Sequence, residues 1–202
     1  MRFGEHYFSE IYLQRTEESY KAFLEIVQNP RIGPHIKTVM IDAVRRTPHL
    51  DDCQDINHQT PKFADQLAAE QSFVNSGQEQ LLLSRGLSIL RRPLNLGVWV
   101  SIKPNEGLCN QPSDHPHPKC SSELALPEAF RTCVQAAFAS NTNMITFSID
   151  AEAAYITAGF AVNGLQVDDI PHPILEVVMA SVQAFTITAG VNYRTDVDFY
   201  RL

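Results

Sequence analysis

The segment after Thr16 combines helical apolar spacing with signals for both ends of a helix. Its apolar residues fall at i, i+3, i+4 and i+7 and so share one side of a helix: Tyr20, Phe23, Leu24 and Val27. Thr16 offers a side-chain acceptor to the first free amides, and Asn29-Pro30 prevents the helix from continuing. The pattern predicts a helix over 17–28 whose apolar side packs against another element.

A strand-like run follows this helix. Ile36, Val39 and Ile41 match the L-x-x-L-x-L spacing of strands in leucine-rich repeats, and Asp42 comes directly after them. A single helix with a single strand cannot bury the apolar faces of both. The pair therefore requires neighbours of the same kind, as in a repeat protein.

The same order of helix and strand recurs along the chain. Met144, Phe147 and Ile149 repeat the strand spacing, again followed by an aspartate, Asp150. Val182, Phe185 and Ile187 repeat it once more, whereas 94–102 alternates strictly between apolar and polar residues. The predicted elements of the first half are a strand in 7–13, the helix 17–28, a strand in 35–42, a loop over 45–59, a helix from Thr60, a second helix from Ser76 to about Leu90 and a strand over 94–102. Those of the second half are a helix from Pro127, a strand over 144–150, a short helix after Asp150, a helix from Pro171 and a strand ending near Ile187.

Several residues have specific predicted roles within these elements. Ser76 and Glu79 have the spacing of a capping box, and Asp150 is suited to cap the short helix that follows it. Cys133 is predicted to be a small core residue. The inward-facing residues of two later helices are predicted from their spacing: Phe130, Cys133, Val134, Ala137 and Phe138 in one, and Ile174, Val177 and Val178 in the other.

Taken together, the pattern predicts an α/β fold. We expect an irregular leucine-rich-repeat-like stack of helix-strand units with a short parallel sheet, forming one domain over 1–202. The segment 103–122 has four prolines and no apolar rhythm, and is predicted to be an exposed insertion. The tail 192–202 carries aromatic residues and is predicted to cover the last strand.

Composition and charge narrow the possible partners. The 202 residues are 44% hydrophobic and 19% charged, which are ordinary values for a globular chain. The net charge of -7 disfavours a nucleic-acid or anionic-membrane surface, because phosphate binding requires clustered Lys and Arg. The start of the chain lacks a secretory signal, and the apolar stretch 175–191 is interrupted by polar residues. We therefore expect an intracellular protein, cytoplasmic or nuclear, that does not span a membrane.

One cluster contains the residue types that bind soft metals. It lies in the proline-rich insertion and has the spacing C-x5-H-x-H-x2-C: Cys109, His115, His117 and Cys120. Structural zinc sites usually combine C-x2-4-C or H-x3-5-H pairs, which this cluster does not. A solvated loop is the favoured interpretation, with a zinc site as the alternative, and we expect no metal.

Two further groups contain residue types that occur in catalytic sites. Cys53 and His58 combine a thiol with a base, but nothing nearby activates the thiol. The pair Asp168-Asp169 precedes a proline in a loop, where carboxylates usually serve solvation or helix starts. The chain has no G-x-S-x-G, no H-E-x-x-H and no phosphate-binding glycine loop. We expect no catalytic residue and no cofactor.

The order of the segments resembles the region after the F-box in a family of fungal F-box proteins with divergent leucine-rich-repeat-like domains. The segments that carry the resemblance are His6–Leu13, Ser19–Asp42, Leu90–Ile102, Phe130–Asp150 and His172–Thr188. In that family the F-box recruits a Skp-type adaptor to a ubiquitin ligase, and the repeats select the substrate. The resemblance therefore implies substrate recognition by protein–protein contact.

We expect this chain to lack the F-box, because Met1 lies only a few residues before the first predicted strand. Binding of a Skp-type adaptor is therefore not expected. The first functional hypothesis is a non-enzymatic protein-interaction module with a protein partner. The alternatives are a truncated or remnant gene product without activity and a small metal- or thiol-dependent enzyme.

Trp99 stands among the polar positions of its alternating strand. It is either an exposed anchor for a partner or covered by another element.

Overall fold

The computed structural model describes residues 8–43, 60–90, 92, 94–99, 126–151 and 170–189. These residues form five strands, five α-helices and one 3-10 helix, Gly33–His35. Strands and helices alternate along the chain, with two helices between the second and third strands. In order they are β1 (Glu10–Leu13), α1 (Glu17–Gln28), β2 (Thr38–Asp42), α2 (Thr60–Asn75), α3 (Gln78–Leu90), β3 (Leu94–Trp99), α4 (Leu126–Ser140), β4 (Met144–Ala151), α5 (His172–Met179) and β5 (Ala184–Ala189).

The five strands form one parallel sheet whose spatial order, β1-β2-β3-β4-β5, is the order in the chain. Each neighbouring pair is parallel. The register places Ile11, Val39, Leu96, Phe147 and Phe185 in one row across the sheet. Each strand thus joins its sequence neighbour through at least one helix, which is the arrangement of helix-strand repeats. The predicted α/β fold is confirmed.

The core lies between one face of this sheet and the helices. Alternate strand residues, Val39, Ile41, Leu96, Val98, Phe147 and Ile149, are fully buried. They belong to one apolar cluster with residues of all five helices, including Phe23, Phe73, Leu83, Phe130 and Val178. Phe130 of α4 contacts Phe147 of β4 edge-on at 5.2 Å between ring centroids. The helices therefore pack on the same side of the sheet, as right-handed crossovers between sequential parallel strands require.

Helix α1 has the predicted bounds, Glu17–Gln28. The Thr16 side chain accepts a hydrogen bond from the Ser19 amide at 3.2 Å, which confirms the predicted cap. The four residues at helical spacing are buried, as expected. The helix bounds and the cap depend on contacts between residues close in the sequence, so they could be predicted from the local sequence alone.

The predicted capping box is half formed, and the predicted role of Asp150 concerns residues outside the described ranges. The Ser76 hydroxyl accepts a hydrogen bond from the Gln78 amide at 3.4 Å, but the Ser76 amide donates to the Ser72 carbonyl and the Glu79 carboxylate bonds to Arg15 and Tyr20. β4 continues through Asp150 to Ala151, and the short helix predicted after it stays a prediction. For Glu79, a partner distant in the sequence takes the place of the local one.

Two helix residues predicted to face inward are exposed. Val177 of α5 is 60% exposed, and Phe138 of α4 is 44% exposed. Each lies at the border of its helix's apolar stripe, so a single neighbouring layer does not reach it. Cys133 is fully buried, as predicted, and burial raises the pKa of its thiol well above the ordinary range. A buried, protonated thiol of this kind is a packing group.

Asn141 ends α4 in a conformation that usually needs glycine. Its φ is 51°, in the left-handed region, where Asn is tolerated better than most residues. The Thr142 amide then donates to the Ala137 carbonyl at 3.0 Å, which satisfies one of the last free carbonyls of the helix. This turn sets the direction in which the chain enters β4.

Several predictions fall on residues outside the described ranges: the loop 45–59, the insertion 103–122, the short helix after Asp150 and the covering role of 192–202. They stay predictions. In the ranges given above, no helix combines the length and the apolar character needed to cross a membrane.

Candidate binding surface on the sheet

The face of the sheet opposite the helices is the candidate site, called here the open face. Its residues alternate with the buried core residues, because successive side chains of a strand point to opposite sides. None of the described helices packs on it. The register arranges its residues in three rows, which are Glu10–Thr38–Asn95–Thr146–Ala184, then Tyr12–Met40–Gly97–Ser148–Thr186, and finally Asp42–Trp99–Asp150–Thr188.

An aromatic pair lies at one side of the open face. Tyr12 of β1 and Trp99 of β3 meet edge to face across β2, with ring centroids 5.0 Å apart and an interplanar angle of 74°. Tyr12 is 51% exposed and Trp99 is partly exposed. Within the described part of the chain, the Trp99 Nε1 hydrogen has no acceptor. Trp99 thus lies on the face of the sheet away from the core, as its place among the polar positions of the alternating strand indicated.

The centre of the open face is shaped by a glycine. A Cβ on Gly97 would lie 2.3 Å from the Ser148 carbonyl oxygen and 2.9 Å from the Met40 sulfur. The missing side chain leaves room for the Met40 sulfur beside Gly97, where the Ser148 hydroxyl donates to this sulfur at 3.5 Å. The aromatic pair therefore borders a shallow, closely packed floor.

Negative charge surrounds the aromatic pair. Asp42 and Asp150 occupy the same row as Trp99 and lie on the strands to either side of it. Glu10 accepts a hydrogen bond from the Tyr12 hydroxyl at 3.1 Å. Partial burial, followed by the Glu10 and Asp150 carboxylates, raises the pKa of Tyr12.

The described open-face positions hold three acidic residues and no Lys, Arg or His. The aspartates could be found from sequence, because each directly follows the repeated strand spacing. Their alignment with Trp99 could not, because it depends on the register of three strands.

A second polar cluster is buried on the helix side. Arg15, between β1 and α1, donates from Nε and Nη2 to the two carboxylate oxygens of Glu79 at 2.9 and 2.8 Å. The Tyr20 hydroxyl donates to Glu79 at 2.9 Å, and Arg15 Nη1 reaches Glu128 of α4 at 3.4 Å. Arg15 and Glu79 are 8% and 2% exposed. Burial raises the pKa of Tyr20 well above its ordinary value, so Tyr20 stays a neutral donor.

This cluster joins the first unit of the stack to the second and third. Sequence reasoning missed it, because Arg15 and Glu79 are 64 positions apart and no local pattern marks either as buried. Both carboxylate oxygens of Glu79 are engaged inside the protein. The geometry therefore suits a structural ion pair rather than an acid or base that acts on a substrate.

A cavity of about 460 Å³ lies at the end of the sheet where β3 and β4 begin. Its lining consists of Leu87, Ser88, Arg92, Ser140, Asn141, Thr142 and Asn143. Arg92 donates from its two terminal nitrogens to the carbonyls of Pro34 and Gly33. The lining contains no carboxylate, imidazole or thiol, so its residues provide no pair for proton transfer.

The chemical candidates weighed from sequence all lie outside the described ranges: Cys109, His115, His117 and Cys120, then Cys53 and His58, and Asp168-Asp169. The zinc and thiol hypotheses on these residues stay predictions. Among the residues that the structure describes, no group of three or more His, Cys, Asp or Glu is placed to hold a metal ion.

Comparisons with known proteins yield no relative. A scan against protein-family models, a search of curated proteins and a search of solved structures each found no match. The resemblance to the fungal F-box family therefore rests on the segments named above and stays a prediction.

Proposed function

We propose that this chain is a non-enzymatic protein-interaction module that binds a partner protein through the open face of its sheet. The observation that carries the proposal is the contrast between the two faces. One face is covered by five helices, whereas the other presents an aromatic pair, hydroxyls and carboxylates that no described helix covers. Partly exposed aromatic residues on a rigid sheet are typical anchors of protein interfaces.

The rigidity of the sheet supports this proposal. Its strands are held by parallel pairing on both sides of β2, β3 and β4, and their other face is anchored in the core. A partner that binds there meets a preformed surface, so little ordering cost opposes association. If the F-box resemblance holds, this surface is the part that selects the substrate of a ubiquitin ligase.

A pair of matched arginine substitutions tests the proposal. Thr146→Arg places a long cationic side chain on the open face, in the row at the N-terminal ends of the strands, whereas Ala139→Arg adds the same charge at an exposed position of α4. Proteins retained by the immobilised chain from a lysate of its source cells would be quantified by mass spectrometry. We expect Thr146→Arg to reduce the recovery of specific partners about tenfold or more, and Ala139→Arg to leave it unchanged.

Circular dichroism and thermal unfolding of both variants would verify that each is folded. Equal recovery with the two variants, or loss with Ala139→Arg alone, would contradict binding through the open face.

A further inference from the structure

We propose that two copies of this chain associate through strand β5, whose free edges pair antiparallel across a two-fold axis at Thr186. The partner at this edge is therefore a second copy of the chain. The inference goes beyond the proposed function and does not depend on it, because it concerns the edge of the sheet and not the binding of another protein to the open face.

The backbone of β5 has pairing capacity left. Within the described sheet, β5 pairs with β4 on one side and has no described strand on the other. Alternate residues of such an edge strand direct their N–H and C=O groups away from the sheet, and a further strand pairs with these groups in a regular ladder. The edge therefore fits an extended backbone.

The side chains of β5 also lack part of their packing. Phe185 and Ile187 lie beside Phe147 and Ile149, which are fully buried. The Phe185 ring stacks on the Phe147 ring, with centroids 5.8 Å apart and an interplanar angle of 9°. Even so, Phe185 and Ile187 remain 42% and 40% exposed. A strand with apolar residues at alternate positions on the helix side would complete both rows.

The β5 edge has none of the features that usually prevent strand pairing. Proteins protect edge strands with charged residues, prolines, bulges or short length. Residues 180–189 include no charged residue and no proline, and β5 pairs with β4 over six residues without a shift in register. The opposite edge, β1, has four residues and carries Glu10. This contrast favours a closed dimer over a filament in which β5 binds β1 of the next copy.

The sequence of β5 is complementary to itself in an antiparallel pair. When Thr186 faces Thr186 of the second copy, Phe185 lies opposite Ile187 of the second copy. Aromatic residues opposite β-branched residues, and Thr opposite Thr, are favourable cross-strand pairs. The Phe–Ile pairs fall on the helix side, where they extend the apolar rows. The net charge of -7 does not oppose this contact directly, because the joint itself carries no charge.

The pairing has two consequences for the assembly. Directly opposite residues of an antiparallel pair point to the same face, so the helices of both copies lie on one side and both open faces lie on the other. A single ladder of six residues buries less than the roughly 800 Å² per partner of a standard interface, so we expect a weak, reversible dimer.

Sedimentation velocity of the full-length chain tests the dimer. Over concentrations from about 1 to about 300 µM, we expect the mass to rise from 22.7 kDa toward twice that value, with a Kd of about 1–100 µM. A mass that stays at one chain throughout would overturn the inference and favour the predicted cover of the last strand by 192–202. Growth beyond the dimer would contradict a closed two-fold pairing.

Matched lysine substitutions locate the contact. Thr186→Lys places two like charges opposite each other at the axis, whereas Gln28→Lys adds the same charge at the exposed end of α1. We expect Thr186→Lys to weaken dimerisation about tenfold or more and Gln28→Lys to change it less than about twofold. Circular dichroism verifies that both variants are folded. Equal weakening by the two variants would contradict a contact at β5.

A mixture of two variants tests the register. Thr186→Lys and Thr186→Glu each dimerise poorly alone, because position 186 faces itself across the axis. When the two are mixed in equal amounts, we expect a heterodimer about tenfold tighter than either homodimer, because opposite charges then meet. A mixture no tighter than its components would contradict pairing centred on Thr186. This comparison uses the same two folded proteins throughout, so a folding defect cannot imitate the expected gain.

Discussion

At the scale of single residues, the buried Arg15–Glu79 pair is the interaction on which stability depends most directly. Both side chains lie in the interior, and the guanidinium gives two short hydrogen bonds to one carboxylate. A buried pair of this kind adds little compared with apolar residues of the same size, because desolvation offsets the attraction. Removing Glu79 is different, since it leaves the buried Arg15 with only its longer contact to Glu128 at 3.4 Å.

We therefore expect Glu79→Leu to lower the free energy of unfolding by about 3–5 kcal/mol, because Arg15 and Tyr20 both lose their acceptor. The double variant Arg15→Met/Glu79→Leu should recover most of that loss. Urea unfolding followed by circular dichroism measures both. As a control, Glu17→Gln breaks the exposed Glu17–Lys21 pair and should leave the unfolding midpoint almost unchanged. A double variant no more stable than Glu79→Leu would contradict this account of the pair.

At the scale of elements, the close approach of α1 and α3 depends on Gly86. A Cβ at this position would lie 2.2 Å from Phe23 Cε1, and the Phe23 ring is fully buried and has no room to move away. Glycine normally weakens a helix by about 1 kcal/mol relative to alanine. Its presence within α3 is explained by this contact between the two helices.

Gly86→Ala should lower the free energy of unfolding by about 1–3 kcal/mol, because overpacking outweighs the gain in helix propensity. In the presence of Phe23→Leu, the same substitution should cost much less, since the clashing ring atoms are gone. Urea unfolding of the two single variants and the double variant gives the coupling between the positions. If the loss of unfolding free energy in the double variant equals the sum of the losses in the two single variants, the contact between position 86 and Phe23 does not explain the glycine.

The helices and strands also show which features could be predicted from the sequence. The bounds of α1 and its Thr16 cap follow from residues within one or two helical turns, and they were predicted correctly. The role predicted for Glu79 was wrong, because an arginine distant in the sequence replaced the local partner. The sequence marks the two aspartates and Trp99 through separate patterns. Only strand register could show that they lie in one row.

At the scale of the whole molecule, the chain is a parallel sheet with helices on one side and a binding surface proposed for the other. The last strand shows why such a stack has an end to cover. Phe185 and Ile187 continue the buried rows of β4, yet they are 42% and 40% exposed. Interior units have neighbours on both sides, whereas the last unit that the structure describes has one described neighbour. The repeated spacing in the sequence predicted this architecture, because each unit repeats the same arrangement.

The central claim is that the open face, and not the helix side, contacts the partner. Site-specific photo-crosslinking measures this most directly. A photoreactive residue would replace Ser148 on the open face or, in a separate variant, Gln28 at the exposed end of α1. The account predicts that the same partner segment is crosslinked from position 148 and not from position 28. Crosslinking from position 28 alone, or equally from both, would contradict it.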